Sequence, residues 1–419
     1  MPSPDADNPN QPRIVVAGLG LLTPLGHAAW PTFAALLDGR TLASRAERAG
    51  EPDAMPTDFA GVELVRSLGA VSIAQQSAAD PAVELAERAG REALFETGVE
   101  PGGVPAFLGT SKGAVRAMTE ACGHFLSNEP AARLAEAAPA VTLGAHGYLT
   151  EQLQQRLGVT CVRHVVAACA SSLTALDAAR LHLLHSRAAG EASPYALVLT
   201  ADAALLPAFV HSYRRLGVLS PLNVREYRQR PLDARRTGFM LSEAGAAVLL
   251  KRLGSGEAPK LGEIELVDTA VAAETHDLIR PSRDMPALQH VAGRLFGRRR
   301  IDVLHPHAPG TLDHDPIELN AYARTLDATG RRYGRPELYA CKGALGHSLG
   351  AAGLTAFVLA CLSLRSGRRP PMPWLNEPMT DAHGFRLTAE AGPCARTGTH
   401  AVLAAGFAGH VAGAVIQRR

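Results

Sequence analysis

A cysteine in the segment VVAACASSLTAL, residues 165 to 176, is the first candidate for chemistry in this sequence. Cys169 follows an apolar run and precedes a stretch whose leucines recur at helical spacing. A thiolate is a good nucleophile toward acyl groups. Free cysteine is also among the most buried residue types and often packs as a small hydrophobic side chain. The segment alone leaves Cys169 open between a packed thiol and a nucleophile.

The flanking pattern predicts where Cys169 lies. The run HVVAAC, residues 164 to 169, is typical of a strand, and the leucines between residues 173 and 184 predict a helix after it. A helix N-terminus favours an anion, so this placement predicts a lowered thiol pKa. The alanines and serine around Cys169 leave space for a substrate. These features favour a nucleophile without excluding a packed thiol.

Two histidine motifs follow, each directly after a predicted strand. HPHAPGTLDHDPIE covers residues 305 to 318, and KGALGHSLGAAG covers residues 342 to 353. Loops at strand ends often carry catalytic side chains, and imidazole can exchange protons near neutral pH. A single histidine is more often structural, and the chain has 16 of them. The combination of both motifs with Cys169 is what favours a catalytic site.

Strands that alternate with helices must position these motifs. Short apolar runs bounded by glycine predict strands, and longer alanine- and leucine-rich runs predict helices. The predicted strands are residues 13 to 20, 106 to 111, 164 to 169, 195 to 202 and 245 to 252, then 263 to 273, 301 to 306, 337 to 343, 400 to 408 and 410 to 417. The repeated order predicts an α/β protein of two similar halves.

The two halves would divide the chain near residue 255. The first, residues 13 to 255, carries Cys169, and the second, residues 256 to 419, carries both histidine motifs. The polar, proline-rich residues 1 to 12 predict a disordered tail, because they lack the apolar region of a signal peptide. The apolar run from 349 to 364 is somewhat short for a membrane span, so we expect a buried core helix there and no membrane span.

Composition narrows the classes of partner. The 419 residues are 47% hydrophobic and 20% charged, with a formal net charge of +2, so the chain can bury a large core. This small charge does not indicate nucleic acid or an acidic membrane as the main partner. The six cysteines include no CxxC pair and no short metal-ligand spacing with histidine. They predict reduced thiols, a cytoplasmic location and no metal site.

The sequence resembles the β-ketoacyl synthases, which are condensing enzymes of fatty-acid and polyketide synthesis. The resemblance extends over residues 13 to 417. Besides the two histidine motifs, the matching segments are VVAGLGLLTPLG (15 to 26), ACASSLTAL (168 to 176), LGVLSP (216 to 221), RPLDARRTGFMLSEAGA (230 to 246) and GFAGH (406 to 410). Their order and spacing make the match specific. The resemblance implies the thiolase-like layered αβαβα architecture built from two similar halves.

The resemblance also implies catalytic roles. Cys169 matches the nucleophile that takes an acyl group from an acyl carrier protein or coenzyme A. His307 and His347 match the two active-site histidines, and Lys342 matches the active-site lysine. Two neutral imidazoles could stabilise the enolate that a malonyl thioester leaves on losing carbon dioxide.

Further matches concern the oxyanion and the substrate. The backbone amides of Cys169 and Phe407 would form the oxyanion hole, and Phe407 would also be the aromatic gate beside the acyl pocket. Thr311 and Gly406 fall at substrate-binding positions of the family. Acyl transfer needs such a pair of donors for the developing negative charge, in a site that excludes water.

The implied function is a β-ketoacyl-[acyl carrier protein] synthase, an acyltransferase that condenses an acyl thioester with malonyl carrier protein. Its substrates would be carried on phosphopantetheine, so no separate cofactor is expected. Two alternatives remain: a non-catalytic or chain-length-determining partner subunit of a heterodimer, and an acyltransferase or decarboxylase on the same fold. The implied partners are an acyl carrier protein and a second subunit, either an identical copy or a related synthase subunit.

Several positions depart from the family pattern. Ala308 and Pro309 replace a glycine and a threonine, and Ala356 stands where many synthases have a glutamate that pairs with the active-site lysine. Lys112, in LGTSKGAV, falls where the family usually has an apolar residue that lines the acyl pocket. An unpaired lysine there would be costly to bury. It predicts either a polar or differently shaped pocket, or a side chain that reaches solvent.

Basic residues between positions 213 and 236 suggest a docking surface. The arginines in this segment are Arg214, Arg215, Arg225, Arg228, Arg230, Arg235 and Arg236. Carrier proteins are acidic, so a local patch could bind one despite the small net charge. We expect Arg214 and Arg215 to contribute to it; the alternative is a solvated loop with structural ion pairs.

Overall fold

The computed structural model describes residues 12–42, 80–127, 131–185, 193–220, 229–296, 299–328, 334–379, 382–395 and 397–418. Residues 1 to 11 of the expected tail lie outside this part. The described helices are α1 (Ala29–Leu37), α2 (Pro81–Phe95), α3 (Val115–Leu126), α4 (Ala131–Leu157), α5 (Ser171–His185), α6 (Pro207–Arg215), α7 (Pro286–Phe296), α8 (His314–Ala328), α9 (Lys342–Leu345) and α10 (Ala352–Ser366). The described strands are β1 (Ile14–Leu22), β2 (Pro105–Gly109), β3 (Cys161–Val165), β4 (Tyr195–Asp202), β5 (Ala244–Arg252), β6 (Ile264–Ala273), β7 (Val303–His305), β8 (Glu337–Leu338), β9 (Arg368–Arg369), β10 (Gly392–Pro393), β11 (Thr399–Ala405) and β12 (His410–Arg418).

The main sheet consists of two halves with the same strand order. Its order is β3-β2-β4-β5-β1 followed by β6-β12-β11-β7-β8. In the first half β3, β2 and β4 are parallel, while β4, β5 and β1 are antiparallel. In the second half β8, β7 and β11 are parallel, while β11, β12 and β6 are antiparallel. The halves meet where Val15 of β1 pairs with Glu265 of β6. The prediction of an α/β fold with two similar halves is confirmed.

Helices form layers outside and between the two half-sheets. Helix α2 packs on β1 and β5, and α7 packs on β6 and β12. Helices α5 and α10 pack against each other, and α5 touches strands of both halves. Residues 352 to 364 of α10 are all buried, as the central position of this helix requires. The arrangement is the layered αβαβα architecture.

One helical segment in the described part of the chain is long and apolar enough to cross a membrane. It is Leu349–Ser366, and 89% of it is buried inside the protein. Neighbouring helices and strands therefore already cover its apolar surface. The prediction of a core helix for the run from 349 to 364 is confirmed.

Glycines in β1 bring α2 close to the sheet. A Cβ added to Gly18 would lie 2.0 Å from the carbonyl oxygen of Ala93, and one added to Gly20 would lie 2.0 Å from that of Ala89. Asp80 begins the helix by accepting a hydrogen bond from Ala82 N at 2.8 Å. The glycines of the VVAGLG motif are thus needed for the packing of strand on helix.

Two predicted strands end earlier than expected, and both ends matter for the site. The strand predicted over 164 to 169 ends at Val165, so Cys169 lies in the turn before α5. The strand predicted over 337 to 343 ends at Leu338. There the backbone turns, with Gly343 N bonded to Ala340 O at 3.2 Å, and Lys342 begins the short helix α9. In both places local turn hydrogen bonds replace the strand ladder.

Candidate active site

Cys169 lies in a tight turn between β3 and α5. The preceding residue, Ala168, has a φ of 47°, which is uncommon for a residue with a Cβ. Ser171 fixes the turn, because its Oγ accepts a hydrogen bond from Ala167 N at 2.8 Å and donates one to Ala168 O at 2.6 Å. The side chain of Cys169 is largely buried and lines a cavity of about 290 Å³.

His307 and His347 lie side by side in the same cavity. Their ring centroids are 5.3 Å apart, with the ring planes at 73°. Burial lowers the pKa of both imidazoles well below 6.5, and the nearby Lys342 charge lowers both further. Both rings are therefore neutral near pH 7. The structure brings together the cysteine and the two histidines that the sequence singles out.

The hydrogen bonds of His347 define which nitrogen carries its proton. Its Nδ1 accepts a hydrogen bond from Leu349 N at 3.1 Å. A neutral imidazole that accepts at Nδ1 carries its proton on Nε2. His347 therefore has an N–H available at Nε2. In His307, Nδ1 is buried and has no hydrogen-bond partner in the described part of the chain.

Lys342 is connected to both histidine loops. Its ammonium donates a hydrogen bond to the carbonyl oxygen of His307. Gln229 Nε2 donates to Lys342 O at 2.6 Å, and Gln229 Oε1 accepts from Met240 N at 3.1 Å. Met240 O in turn accepts from His347 N at 2.7 Å. Burial lowers the pKa of Lys342. The buried glutamine had no assigned role in the sequence, yet it ties the two loops together.

Two buried carboxylates of α8 hold the first histidine loop. Glu318 accepts hydrogen bonds from His307 N and Ala308 N, each at 2.7 Å, and from the Tyr322 hydroxyl at 2.7 Å. Burial raises the pKa of Glu318, but hydrogen bonding and charge from His314, with the Tyr322 and backbone bonds, bring it below its usual range. Asp315 accepts from Gly310 N at 2.9 Å. Both carboxylates lie within the quoted histidine motif, but sequence reasoning gave them no role.

The loop after β11 places Phe407 and Gly406 against the cysteine turn. A Cβ added to Gly406 would lie 2.9 Å from Cys169 N and 3.0 Å from Ala167 O. Gly406 N donates to His410 O, and Ala408 N donates to Leu278 O. Phe407 N, between them, donates no hydrogen bond within the described residues. The residue before Phe407 is thus in close contact with the backbone of Cys169.

The sequence motifs predict acyl transfer, and replacing Gly406 by alanine should lower the rate of that predicted reaction about 100-fold, the effect of a small displacement of reacting groups. The added methyl group would push against the Cys169 and Ala167 backbone, which cannot move like a flexible side chain. Rates of thioester cleavage, measured with the wild-type protein and with the Gly406→Ala variant, would check this expected decrease. Gly123→Ala is a matched control, because no atom lies within 4 Å of its added Cβ. Equal rates for the Gly406 variant and wild type would contradict the expected clash.

Burial dominates the acid–base state of the cysteine. It raises the pKa of the Cys169 thiol to about 12, although the charges of Lys342 and Lys112 act to lower that pKa. This is opposite in direction to the lowered pKa predicted from the helix N-terminus. The physical reason is that the thiolate loses more solvation than these neighbouring charges restore. Burial therefore favours the protonated thiol over the thiolate.

The remaining predicted site residues lie in different places. Thr311 lines the cavity beside the exposed Leu312, and its Oγ1 accepts from His314 N at 3.2 Å. Arg214 and Arg215 are exposed at the end of α6, next to residues of the cavity mouth. Lys112 does not line this cavity; its Nζ lies 5.6 Å from the centre of the Phe209 ring. Lys112 is half-buried and lies outside the lining of this cavity.

The comparison with known protein families agrees with the resemblance that the sequence motifs show. The sequence model for the β-ketoacyl synthase N-terminal domain matches residues 11–255, and that for the C-terminal domain matches residues 275–376. The chain belongs to the β-ketoacyl synthase family. The first match alone covers more than half of the chain and includes Cys169; the second includes His307, Lys342 and His347, and ends before Gly406 and Phe407.

Relatives of this β-ketoacyl synthase family member include polyketide synthases. The chain is 27% identical over 378 residues to a putative polyketide beta-ketoacyl synthase 1 of Streptomyces halstedii, with 86% of this chain and 87% of the relative covered. It is also 27% identical over 429 residues to the tetracenomycin polyketide synthase ketoacyl synthase alpha subunit of Streptomyces glaucescens, with 97% of each covered. Both alignments extend over nearly all of each relative.

A solved structure shows the same fold. It is described as a type II PKS acyl-carrier protein in complex with its ketosynthase bound to the hexaketide. The match has a TM-score of 0.79 at 18% identity and covers 98% of this chain and 100% of that chain. The thiolase-like fold of this β-ketoacyl synthase family member is confirmed.

The departures from the family pattern lie within the histidine loop and α10. Ala308, in place of a glycine, adopts a φ of 31°, a conformation that is strained for alanine. Glu318 holds it there through the Ala308 amide. Ala356, in place of the glutamate, is buried in α10. Lys342 is instead held by the His307 carbonyl. The hydrogen-bond acceptor of the lysine is thus neutral, while the charges of Glu318 and Asp315 act to raise its pKa.

Proposed function

We propose that this chain is a β-ketoacyl-[acyl carrier protein] synthase that condenses an acyl thioester with malonyl carrier protein by decarboxylative Claisen condensation. The observation that carries this proposal is the cavity in which Cys169 faces two buried, neutral imidazoles whose ring centroids are 5.3 Å apart. A non-catalytic partner subunit has no chemical need for a cysteine and two histidines together. Both reaction steps draw only on this chain and its carrier-bound substrates, so the proposal includes no separate cofactor.

In the first step the acyl group moves to Cys169. The sulfur attacks the thioester carbonyl, and the negative charge on the carbonyl oxygen is stabilised by the backbone amides of Cys169 and Phe407. The carbon–sulfur bond to pantetheine then breaks. The thiol proton passes to the departing pantetheine sulfur, so the free carrier leaves as a thiol. This transfer gives an acyl-cysteine and needs no permanent thiolate, in agreement with the protonated resting thiol.

In the second step malonyl carrier protein loses carbon dioxide and extends the chain. The electron pair of the breaking carbon–carbon bond forms a thioester enolate, whose oxygen accepts hydrogen bonds from His307 and His347. The Nε2 proton of His347 is suited to this role, because Leu349 N occupies the other ring nitrogen. The enolate carbon attacks the acyl carbonyl, the carbon–sulfur bond to Cys169 breaks, and the cysteine sulfur takes up one proton from water. The product is a β-ketoacyl carrier protein and carbon dioxide.

Lys342 acts in this scheme by positioning the first histidine. Its ammonium holds the His307 carbonyl, while Glu318 holds the His307 amide at 2.7 Å. The Lys342 ammonium and the Glu318 carboxylate thus fix the backbone of His307 at its carbonyl and at its amide. His307 is thereby oriented for the enolate oxygen without a direct contact between Lys342 and the substrate.

The mouth of the cavity has the chemistry that an acyl carrier protein would recognise. Leu312, which is 62% exposed, and Leu216, which is 38% exposed, form an apolar part of the rim. Arg214 and Arg215 lie on the same turn of chain as Leu216. Arg236 has another task, since it donates to the carbonyl oxygens of Thr311 and Leu312. Arg225 and Arg228 lie outside the described residues. We assign the docking of the carrier to this rim.

Changing Arg214 and Arg215 together to glutamate should weaken binding of the acyl carrier protein about tenfold or more, mainly through a slower association rate. The reversed charges would repel an acidic partner at the cavity mouth. Titration at low and at physiological salt would measure the change, which should shrink as salt rises. Arg91 and Arg300, exposed arginines away from the cavity, provide a charge-matched control pair. Titration curves that superimpose for the two double variants would refute the assignment of carrier-protein docking to this rim.

The free edge of the sheet suits a second subunit. Strand β3 lies at the end of the sheet order and pairs only with β2 among the described strands. Val166, directly after it, is 54% exposed. Unpaired edge strands readily pair with another chain. We therefore assign the subunit contact to this edge, with two copies of this chain as the expected assembly. Sedimentation equilibrium would distinguish a dimer from a monomer that requires a different subunit.

The experiment that tests the proposed function is intact-protein mass spectrometry after incubation with acyl carrier protein bearing a short acyl chain. The expected mass increase equals one acyl group, and peptide mapping should locate it on Cys169. An unmodified protein would overturn the enzyme assignment and favour the non-catalytic partner subunit. Acylation followed by transfer to another thiol, with no carbon–carbon bond formed on addition of malonyl carrier protein, would favour an acyltransferase instead.

A further inference from the structure

His314 lines the same cavity as His307 and His347. It is the first residue of α8 and belongs to the motif HPHAPGTLDHDPIE, but sequence reasoning gave it no role. Its side chain is 14% exposed, and its backbone amide donates to Thr311 Oγ1 at 3.2 Å. The cavity wall thus contains a largely buried imidazole that the proposed mechanism does not use.

The ring of His307 has no hydrogen bond that would fix its orientation. Its backbone is held at the amide by Glu318 and at the carbonyl by the Lys342 ammonium. In the described part of the chain, neither ring nitrogen of His307 has a hydrogen-bond partner, and Nδ1 is buried. The last torsion of a histidine side chain is broad and roughly two-fold, so it does not select one ring orientation by itself. Contacts with neighbouring side chains must therefore orient this ring.

Two imidazoles pack edge-to-face against the His307 ring. The centroid of the His314 ring lies 5.1 Å from that of His307, with the ring planes at 65°. The centroid of the His347 ring lies 5.3 Å away, with the planes at 73°. His347 is itself held, because its Nδ1 accepts a hydrogen bond from Leu349 N at 3.1 Å. The orientation of His307 therefore depends on how firmly His314 is held as well.

The buried carboxylate of Glu318 holds His314. Glu318 Oε2 lies 3.5 Å from His314 Nε2. A neutral imidazole with its proton on Nε2 and a protonated imidazole both present an N–H there, so the contact is attractive in either state. Glu318 also accepts from His307 N and from the Tyr322 hydroxyl, each at 2.7 Å, and these bonds fix the carboxylate itself. One carboxylate thus holds the backbone of His307 and contacts the ring that packs on His307.

We propose that His314 is a positioning residue for His307, which keeps the Nε2–H group of the His307 ring directed toward the enolate oxygen. The chemical consequence rests on the proposed function, because the enolate forms only during condensation. Since Nδ1 of His307 is buried, Nε2 is the ring nitrogen that a substrate can reach. A half-turn of the ring would exchange Nε2 with Cε1 and present a carbon atom to that oxygen. His314 restricts this half-turn and needs no contact of its own with the substrate.

His314 also acts on the charge of His307. Burial has the largest effect on the pKa of His307 and lowers it. The charges of Lys342, His314 and His347 lower that pKa further, and Glu318 is the acidic group in contact with the His307 amide. A protonated His314 therefore makes protonation of His307 less favourable. Without His314, the pKa of His307 should rise, and the acid limb of the bond-forming rate should move to higher pH.

The kinetic test compares two substitutions of His314. His314→Asn removes the ring, and His314→Phe keeps a ring but loses the contact with Glu318. We expect the bond-forming step to slow about 100-fold in His314→Asn, as for a reacting group displaced by about 1 Å, and less in His314→Phe. Acyl loading should keep its wild-type rate, and the acid limb of bond formation should move to higher pH in both variants. His290→Phe, at an exposed histidine of α7, should behave as wild type.

A spectroscopic measurement follows the His307 ring without any substrate. Long-range ¹H–¹⁵N spectra of protein that contains ¹⁵N-labelled histidine distinguish the two neutral tautomers of each ring. Wild type should show His307 protonated on Nε2, with its signals identified by their loss in His307→Asn. In His314→Asn, a ring that is no longer held should exchange between both tautomers.

The outcomes separate the positioning role from the proposed function. A wild-type bond-forming rate with unchanged His307 signals in His314→Asn would refute the positioning role. Equal slowing of acyl loading and of bond formation would also refute it, because only the second step uses His307. If wild type forms no carbon–carbon bond, the proposed function fails, and the His307 signals of wild type and His314→Asn still decide whether His314 orients the ring. Thermal midpoints close to that of wild type show that each variant is folded.

Discussion

Replacing Cys169 by alanine is expected to abolish covalent acyl loading and to reduce condensation by roughly 10⁴-fold or more, the usual consequence of removing a catalytic nucleophile. The physical reason is that no other described thiol lines the cavity with the two histidines. The fold should survive, because the turn around the cysteine is held by Ser171 and by backbone bonds rather than by the thiol. Intact mass after incubation with acyl carrier protein measures the effect.

Cys122→Ala provides the matched control for this experiment. Cys122 is a free, partly exposed cysteine of α3 outside the cavity lining. We expect this variant to load and to condense at the wild-type rate. Acyl loading that persisted in Cys169→Ala and disappeared in the control would contradict the assignment of the nucleophile.

Replacing His347 by alanine should leave acyl loading intact and slow the carbon–carbon bond-forming step about 10²- to 10³-fold, the typical effect of removing one donor to a developing oxyanion. The acylated protein should therefore accumulate when malonyl carrier protein is added. This separation follows from the scheme, in which backbone amides serve the first step and the imidazoles serve the second. Single-turnover mass spectrometry would resolve the two steps. His290→Ala, an exposed histidine of α7, is the control.

The pH profile of the bond-forming step tests the charge of the histidines. Burial lowers the pKa of His307 and His347 well below 6.5, so the neutral rings persist as the pH falls through that value. The acid limb of the rate should therefore lie well below pH 6.5. The free energy of unfolding should also decrease in acid. The unfolded chain binds these protons before the folded chain does, so stability decreases as the pH falls below about 6.5. A rate that halved near pH 6.5 would show imidazoles with ordinary pKa values and contradict their burial.

Much of the fold follows from the sequence pattern, and the differences have local causes. Apolar runs bounded by glycine identify strands such as Tyr195–Asp202 to the residue. Strand ends are less predictable, because they depend on turns formed with distant residues. The strand before Cys169 ends four residues earlier than predicted, at Val165, since Ser171 and the unusual φ of Ala168 turn the backbone. The pattern of residue types contains no signal for that backbone angle.

In the candidate site, the sequence identifies some of the residues, and only the structure identifies the others. The cysteine and histidine motifs carry their own signal, and the structure brings Cys169, His307 and His347 into one cavity. The groups that position them were missed: Glu318 is one acidic residue among many in the sequence, and only the fold shows that it accepts two loop amides. The thiol pKa was predicted in the wrong direction, because the helix N-terminus is visible in the sequence but the burial of Cys169 is not.

A single turnover of acyl-loaded protein with malonyl carrier protein, in which the carrier-bound product is identified by mass, tests the proposed condensation directly. We expect a β-ketoacyl carrier protein longer than the starting acyl group by the two carbons of the decarboxylated extender, with Cys169 returned to the free thiol and one carbon dioxide released. An acyl group that remained on Cys169 while the carrier emerged unchanged, or merely decarboxylated to its acetyl form, would contradict it.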